Sequence, residues 1–242
     1  MDITYIYHSS FAVENENYIL IFDFYKIPWI KNNTFSMNEI IDKDKTIIIF
    51  ISHGHSDHFS SEIFKWDNGI RKIYYVISDD IDISDKKSNY YSIKEGGNIK
   101  IEDINVKAFG SSDLGVSFLI KMDDNTNIFH AGDLNWWKWS GETNEDQEYA
   151  TNLFKRIVND IKISTEEDKE QIDIAFFPVD PRLEENKYLG AMYFIENFAP
   201  KYLFPMHFWD KFAITKDFSE YIKNTSTKGV TINKDIENLN WR

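Results

Sequence analysis

The sequence predicts an α/β protein in four layers, an αββα sandwich with two mixed sheets face to face and helices outside. Three observations lead there. The first half of the 242 residues reads as strand after strand. One of these strands, KTIIIFIS (residues 45–52), is apolar on both faces, as a strand buried between layers is. The second half mixes helix-period segments with further short apolar strands. No Pro/Gly/Ser-rich linker and no repeat interrupts the chain, so residues 1–242 are expected to form a single domain.

Taken in order, DITYIYH, FAVENE and YILIFDF are short, rich in β-branched and aromatic residues, and separated by polar breaks such as Asn15–Asn17. After KTIIIFIS, Ser60 or Ser61 is placed to cap a short helix through Trp66, which Asn68-Gly69 ends. KIYYVIS, IKIEDINVKAFG, GVSFLIKMD and TNIFHAGD continue the strands, with a hairpin turn at Asp123-Asp124-Asn125. NEDQEYATNLFKRIVNDIKIS sets Tyr149, Leu153, Ile157 and Ile161 at helical spacing. DIAFFPVD then reads as a buried strand, KYLGAMYFIENFA as a helix, KYLFPMHFWD as a strand running into a loop, and KDFSEYIKN as a last helix. The acidic stretch TEEDKEQID reads as a solvated loop or helix end.

Composition narrows the function classes. With no cysteine, disulfides and thiolate ligands are excluded, and a transition metal must be held by imidazole and carboxylate. A net charge of −13 opposes binding to phosphate backbones, so no nucleic-acid partner is expected. No basic-then-apolar leader opens the chain, and the apolar stretch Ile47–Ile51 is too short for a bilayer. A cytoplasmic protein without a membrane partner is the expectation.

Chemistry concentrates in ISHGHSDHFS (residues 51–60), which gathers three of the six histidines behind a buried strand. In extended chain, residues two apart point the same way, so His53 and His55 can reach one cation together. Asp57 and His58 follow where the chain turns and can face a second position. Gly54 removes bulk where the backbone bends. Four such groups rarely crowd together without a cation to hold them.

H-x-H-x-D-H after a buried strand is the signature of the metallo-β-lactamase-fold hydrolases, and the chain resembles them over nearly its whole length. The resemblance implies metal ligands at His53, His55, Asp57, His58, Asp133 of FHAGDL and His207 of LFPMHF, with Asp133 bridging two ions. It also matches Asp23 of ILIFDF to an early strand-end aspartate, here expected to orient the ligand loop. YHSSFAVE…ILIFD and HAGD look most like the branch containing the L-ascorbate-6-phosphate lactonases. His8 and His130 stand at strand ends and divide evenly between a structural role and a role beside the ligands or the substrate. Trp136, Trp137 and Trp139 follow Asp133 at once, to wall a substrate pocket or to pack the next helix onto its sheet.

Members of the family supply one more histidine between the H-x-H-x-D-H loop and the bridging aspartate. Here none lies between His58 and His130. The set of His53, His55 and Asp133 is then one ligand short, while Asp57, His58, Asp133 and His207 form a complete set. Asp113 in KAFGSSDLGVSF is the substitute to expect, with Ser111 and Ser112 as weaker oxygen donors. An oxygen ligand would loosen a preference for Zn²⁺ and admit Mn²⁺ or Fe²⁺. The reading is a metal-dependent hydrolase holding one or two divalent ions, with Asp57 and Asp133 at the reaction centre and a small molecule as substrate. Ester, lactone, amide and phosphodiester bonds all suit a metal-activated water. The alternative is a non-catalytic metal-binding sensor. A redox member would carry an acidic residue where His55 stands.

Overall fold

A computed structural model describes residues 1–27, 37–41, 44–85, 87–233 and 238–240. The chain divides into two compact units, Met1–Ile93 with Asn233–Arg242, and Lys94–Ile232. Each is built on one seven-stranded mixed sheet.

In the first unit, β1 (Asp2–Tyr7), β2 (Ser10–Glu14) and β3 (Tyr18–Phe22) form an antiparallel meander. After α1 (Met37–Ile41), strands β4 (Thr46–Ile51), β5 (Ile73–Ser78) and β6 (Tyr90–Ile93) add in parallel beside β3. The late strand β14 (Asn238–Asn240) pairs antiparallel with β1. β4 shows why its run is apolar throughout. Ile47, Ile49 and Ile51 enter a cluster with Ile19, Ile21, Phe24, Ile63 and Tyr75. Ile48 and Phe50, on the opposite face, are equally buried. Each such side chain contributes about 1.5–3 kcal/mol, more than the ~1–2 kcal/mol that fixing its backbone costs. The expected short helix is present as a 3₁₀ turn, Ser61–Trp66, and Ser60 Oγ caps it by accepting from the Glu62 N–H.

In the second unit, β7 (Asn98–Ile101), β8 (Ile104–Gly110), β9 (Val116–Lys121) and β10 (Asn127–His130) run antiparallel. After α2 (Asn144–Asp168) come β11 (Ile174–Pro178), α3 (Leu189–Phe198), β12 (Tyr202–Met206), α4 (Ala213–Tyr221) and β13 (Lys228–Gly229). β10 through β13 are parallel. α2 starts at an N-cap, Thr143, whose Oγ1 accepts from the Asp146 N–H while its hydroxyl donates to the Asp146 carboxylate. Phe129 and Phe177 pack on Phe194 of α3 at ring distances of 4.8 and 4.9 Å.

Three expectations change. The strand read as continuous over 99–110 is the hairpin β7–β8, turned at Glu102, whose φ of 52° is left-handed. β6 was not expected, because YYSI is short and largely unburied. The buried stripe of α2 is Phe154, Ile157, Val158, Ile161 and Thr165, not one that includes Tyr149, which is 70% exposed. Tyr149 keeps the helical spacing but lies off the face that packs.

Parallel order decides where chemistry can gather. Asp23, Ser52 and His53 follow the carboxyl ends of β3 and β4, while Asp133, Asp180 and His207 follow those of β10, β11 and β12. In each sheet, the carboxyl edge of parallel strands is where open α/β sheets place ligands.

Candidate metal centre

In the first unit, the register sets Phe22 opposite Phe50, with their rings stacked at 4.9 Å. The next residues therefore meet across the strand ends. Asp23, fully buried, accepts from the Ser52 N–H at 2.8 Å, from Ser52 Oγ at 2.7 Å, and pairs with His58 Nδ1 at 2.8 Å. Since the Ser52 hydroxyl donates its hydrogen bond to Asp23, at 2.9 Å its Oγ accepts from His53 Nδ1. One carboxylate thus fixes two imidazoles with Nε2 as the ring's donor atom.

The ligand loop is held from below. The Gly54 N–H donates to Asp80 Oδ2 at 2.8 Å, and a Cβ at Gly54 would meet that oxygen at 3.2 Å. The His58 and Phe59 N–H groups both donate to the His55 carbonyl, closing a turn that carries Asp57. His53 and His55 bring ligand atoms within 4.8 Å of each other, and so do His8, Asp57 and His58. Hydrogen bonding from His8, with the His58 and His8 charges, outweighs burial and holds the Asp57 carboxyl well below the usual carboxylate range. Asp57 is therefore an anion at neutral pH.

In the second unit, His207 Nε2 stands 3.4 Å from Asp133 Oδ1, and both residues are buried. His207 Nδ1 pairs with Asp180 Oδ2 at 2.8 Å. Burial pushes Asp180 up, but the bonds from His207 and Arg182 prevail and hold it at about 2. Arg182 binds both Asp180 oxygens through Nε and Nη2, and its guanidinium lies over the Trp139 ring at 5.5 Å. His207 itself has a left-handed φ of 66°.

The donor set suits a divalent cation. It is imidazole and carboxylate alone, as a chain without cysteine requires. Two ligand atoms about 2.1 Å from a tetrahedral zinc stand about 3.4 Å apart. Asp133 and His207 have that separation, which is longer than an ordinary hydrogen bond.

The remaining expected residues divide. Asp113 lies exposed on the turn after β8, with its N–H donating to Ser111 Oγ, and no close donor group among the described residues includes it. Ser112 Oγ is spent on the backbone of Asn135 and the Asp133 carbonyl, so it shapes the turn carrying Asp133. His130 Nδ1 accepts from the Gly132 N–H at 3.2 Å and buttresses the same turn. Trp136 packs on helices, donating to Thr151 Oγ1 and lying 5.7 Å from both Phe154 and Tyr193. Trp137 does not: its Nε1 donates to the Asp133 carbonyl, and its ring stands edge-on to His207 at 5.3 Å.

Sequence reasoning missed Asp180, Arg182, Ser52 and Asp80. A signal for Asp180 was present, since DIAFFPVD ends an apolar strand on a carboxylate just as ILIFD does.

Comparison with known proteins gives the family and the fold. Residues 2–137 match the family described as Beta-lactamase superfamily domain. A protein of Nanoarchaeum equitans named UPF0173 metal-dependent hydrolase is 28% identical over 260 residues, covering 98% of this chain and 99% of its own. Among solved structures, Igni18, a metallo hydrolase from Ignicoccus hospitalis, gives a TM-score of 0.67 at 15% identity, covering 98% of this chain and 97% of that one. An isothiocyanate hydrolase from Delia radicum gut bacteria gives 0.60 at 13% identity, covering 100% and 99%. These structural likenesses show the fold.

Proposed function

The chain belongs to the beta-lactamase superfamily, and on that premise we propose that it is a metal-dependent hydrolase of a small-molecule ester, lactone, amide or phosphodiester. The observation that carries this reading is a repeated pair. Asp23 with His58, and Asp180 with His207, each set a buried carboxylate 2.8 Å from an imidazole Nδ1. Such a partner is what metal-bound histidines ordinarily have behind them. The name of the Nanoarchaeum equitans relative supports the same reading.

In the first unit His53, His55, Asp57 and His58, and in the second Asp133 and His207, would be the ligands of the ions. A bound divalent cation supplies Lewis acidity, drawing the pKa of water toward about 7. The chain does the rest. Asp23 and Asp180 hold protons on Nδ1 of their partners, so that Nε2 of His58 and His207 offers its lone pair. Asp57, ionised and half-buried, can orient a water and accept its hydrogen bond. Trp137 and Trp139, stacked at 5.8 Å and 5°, would wall the substrate on the Asp133 side and exclude solvent there. Zinc is the ion this donor set favours, with manganese or iron admitted by its carboxylates. The resemblance of YHSSFAVE…ILIFD to the branch containing the L-ascorbate-6-phosphate lactonases puts a lactone among the bonds to test first.

The test is turnover on a panel of lactone, ester, amide and phosphodiester substrates, before and after chelation and with zinc or manganese restored. Hydrolysis that disappears and returns with the metal is expected. Metal bound tightly with no turnover on any bond class would instead be the behaviour of a sensor.

A further inference from the structure

We propose that His8 is itself a protein ligand of the cation held by Asp57 and His58, which makes that set one imidazole richer than the H-x-H-x-D-H loop supplies. The proposal rests on the metal-binding reading above, and its geometry lies within the first unit.

His8 is fully buried, and its Nε2 stands 3.5 Å from Asp57 Oδ2. As a hydrogen bond between nitrogen and oxygen this is a long one, and the distance is close to the ~3.4 Å edge between two ligands of a tetrahedral zinc. Asp133 and His207 show the same relationship at 3.4 Å. Ligand atoms of His8, Asp57 and His58 all fall within 4.8 Å of one another, as donors around one ion must. The His8 and His58 rings meet edge-on, 5.4 Å apart and at 80°.

Three local devices aim the ring. The pairing of β1 with β2 shifts register between Tyr5 and Tyr7, a bulge that turns the end of β1. His8 then takes a left-handed φ of 58°, a conformation unfavourable for a non-glycine residue. Its N–H donates to the buried Tyr5 hydroxyl at 2.8 Å, which locks that conformation. Strain held in place this way is characteristic of functional positions. Asp23, which holds His58 in the same unit, also has a left-handed φ, of 44°.

The competing role for His8 is to hydrogen-bond and position Asp57 without touching the ion. Two substitutions separate the roles. His8→Gln keeps an N–H near the position of Nε2 but is a poor zinc or cobalt ligand. His8→Asn tolerates the left-handed backbone, so folding is preserved. Each is loaded with cobalt(II), the affinity is measured by competition with a chromophoric chelator, and the imidazole count per ion is taken from X-ray absorption. Both variants are expected to bind at least about 100-fold more weakly on this side and to lose one imidazole from the count, with thermal melting confirming a folded chain. A Gln variant with wild-type affinity and an unchanged count would overturn the proposal and leave His8 as a support of Asp57. Wild-type protein that takes up no cobalt would overturn the metal reading itself, and His8 with it.

Discussion

Asp180 Oδ2 stands 2.8 Å from His207 Nδ1, the same distance that separates Asp23 Oδ2 from His58 Nδ1. The two pairs lie in different units and on different sheets, yet each joins a strand-end carboxylate to a histidine from the adjoining segment. Losing such a carboxylate typically weakens metal binding by about 10–100-fold. Asp23→Asn and Asp180→Asn are expected to fall in that range, read by chelator competition. Asp133→Asn removes a ligand and is expected to lose more metal and all hydrolysis. Equal metal loss in Asp23→Asn and Asp133→Asn would contradict these assignments.

Trp136 and Trp137 are neighbours with different work. Trp136 contacts α2 and α3 residues, so Trp136→Ala is expected to cost about 2–4 kcal/mol of stability with little change in KM. Trp137 stands beside Asp133 and His207, so Trp137→Ala is expected to raise KM severalfold while metal content holds. Denaturant melts and steady-state kinetics on both variants check this; a reversed pattern would refute it.

Gly190 lets α3 approach the turn that carries Asp133. A Cβ there would sit 2.0 Å from Asn135 Oδ1 and 2.9 Å from the Trp136 backbone nitrogen. Gly190→Ala therefore has to displace backbone as well as a side chain, at about 1–3 kcal/mol. Metal affinity should fall with stability, since Asn135 is two residues from Asp133. An alanine variant as stable as the parent would show that the helix shifts freely.

Metal removal should be visible in stability. An ion present at about 100 times its Kd stabilises the native state by about 2.7 kcal/mol. For a chain of this size that is about 5–10 °C in Tm. Melting with and without chelator measures it, and coincident curves would argue against binding in the native state.

Much of this was legible in the chain. The ligand loop announced itself because its donors are consecutive, and the strands around it because their burial is uninterrupted along the sequence. Asp180 carried only the strand-end signal of DIAFFPVD; its pairing with His207, and with it the place of Arg182, was not legible, since both depend on β11 lying beside β12, a pairing no local pattern encodes. Trp136 and Trp137 could not be divided from sequence because adjacent residues in an irregular segment have no periodicity to tell them apart. The replacement sought at Asp113 was a guess from nearness in sequence; the turn after β8 leaves that side chain exposed.

The most direct test of the metal centre is anomalous diffraction from crystals of protein purified without chelator, recorded at the zinc, manganese and iron edges. The predicted map shows ions ligated by His53, His55, Asp57, His58, Asp133 and His207, with higher occupancy beside Asp57 and His58 than beside His53 and His55. A map with no ion on these residues, or with one ion on His53 and His55 alone and the other set empty, would contradict it.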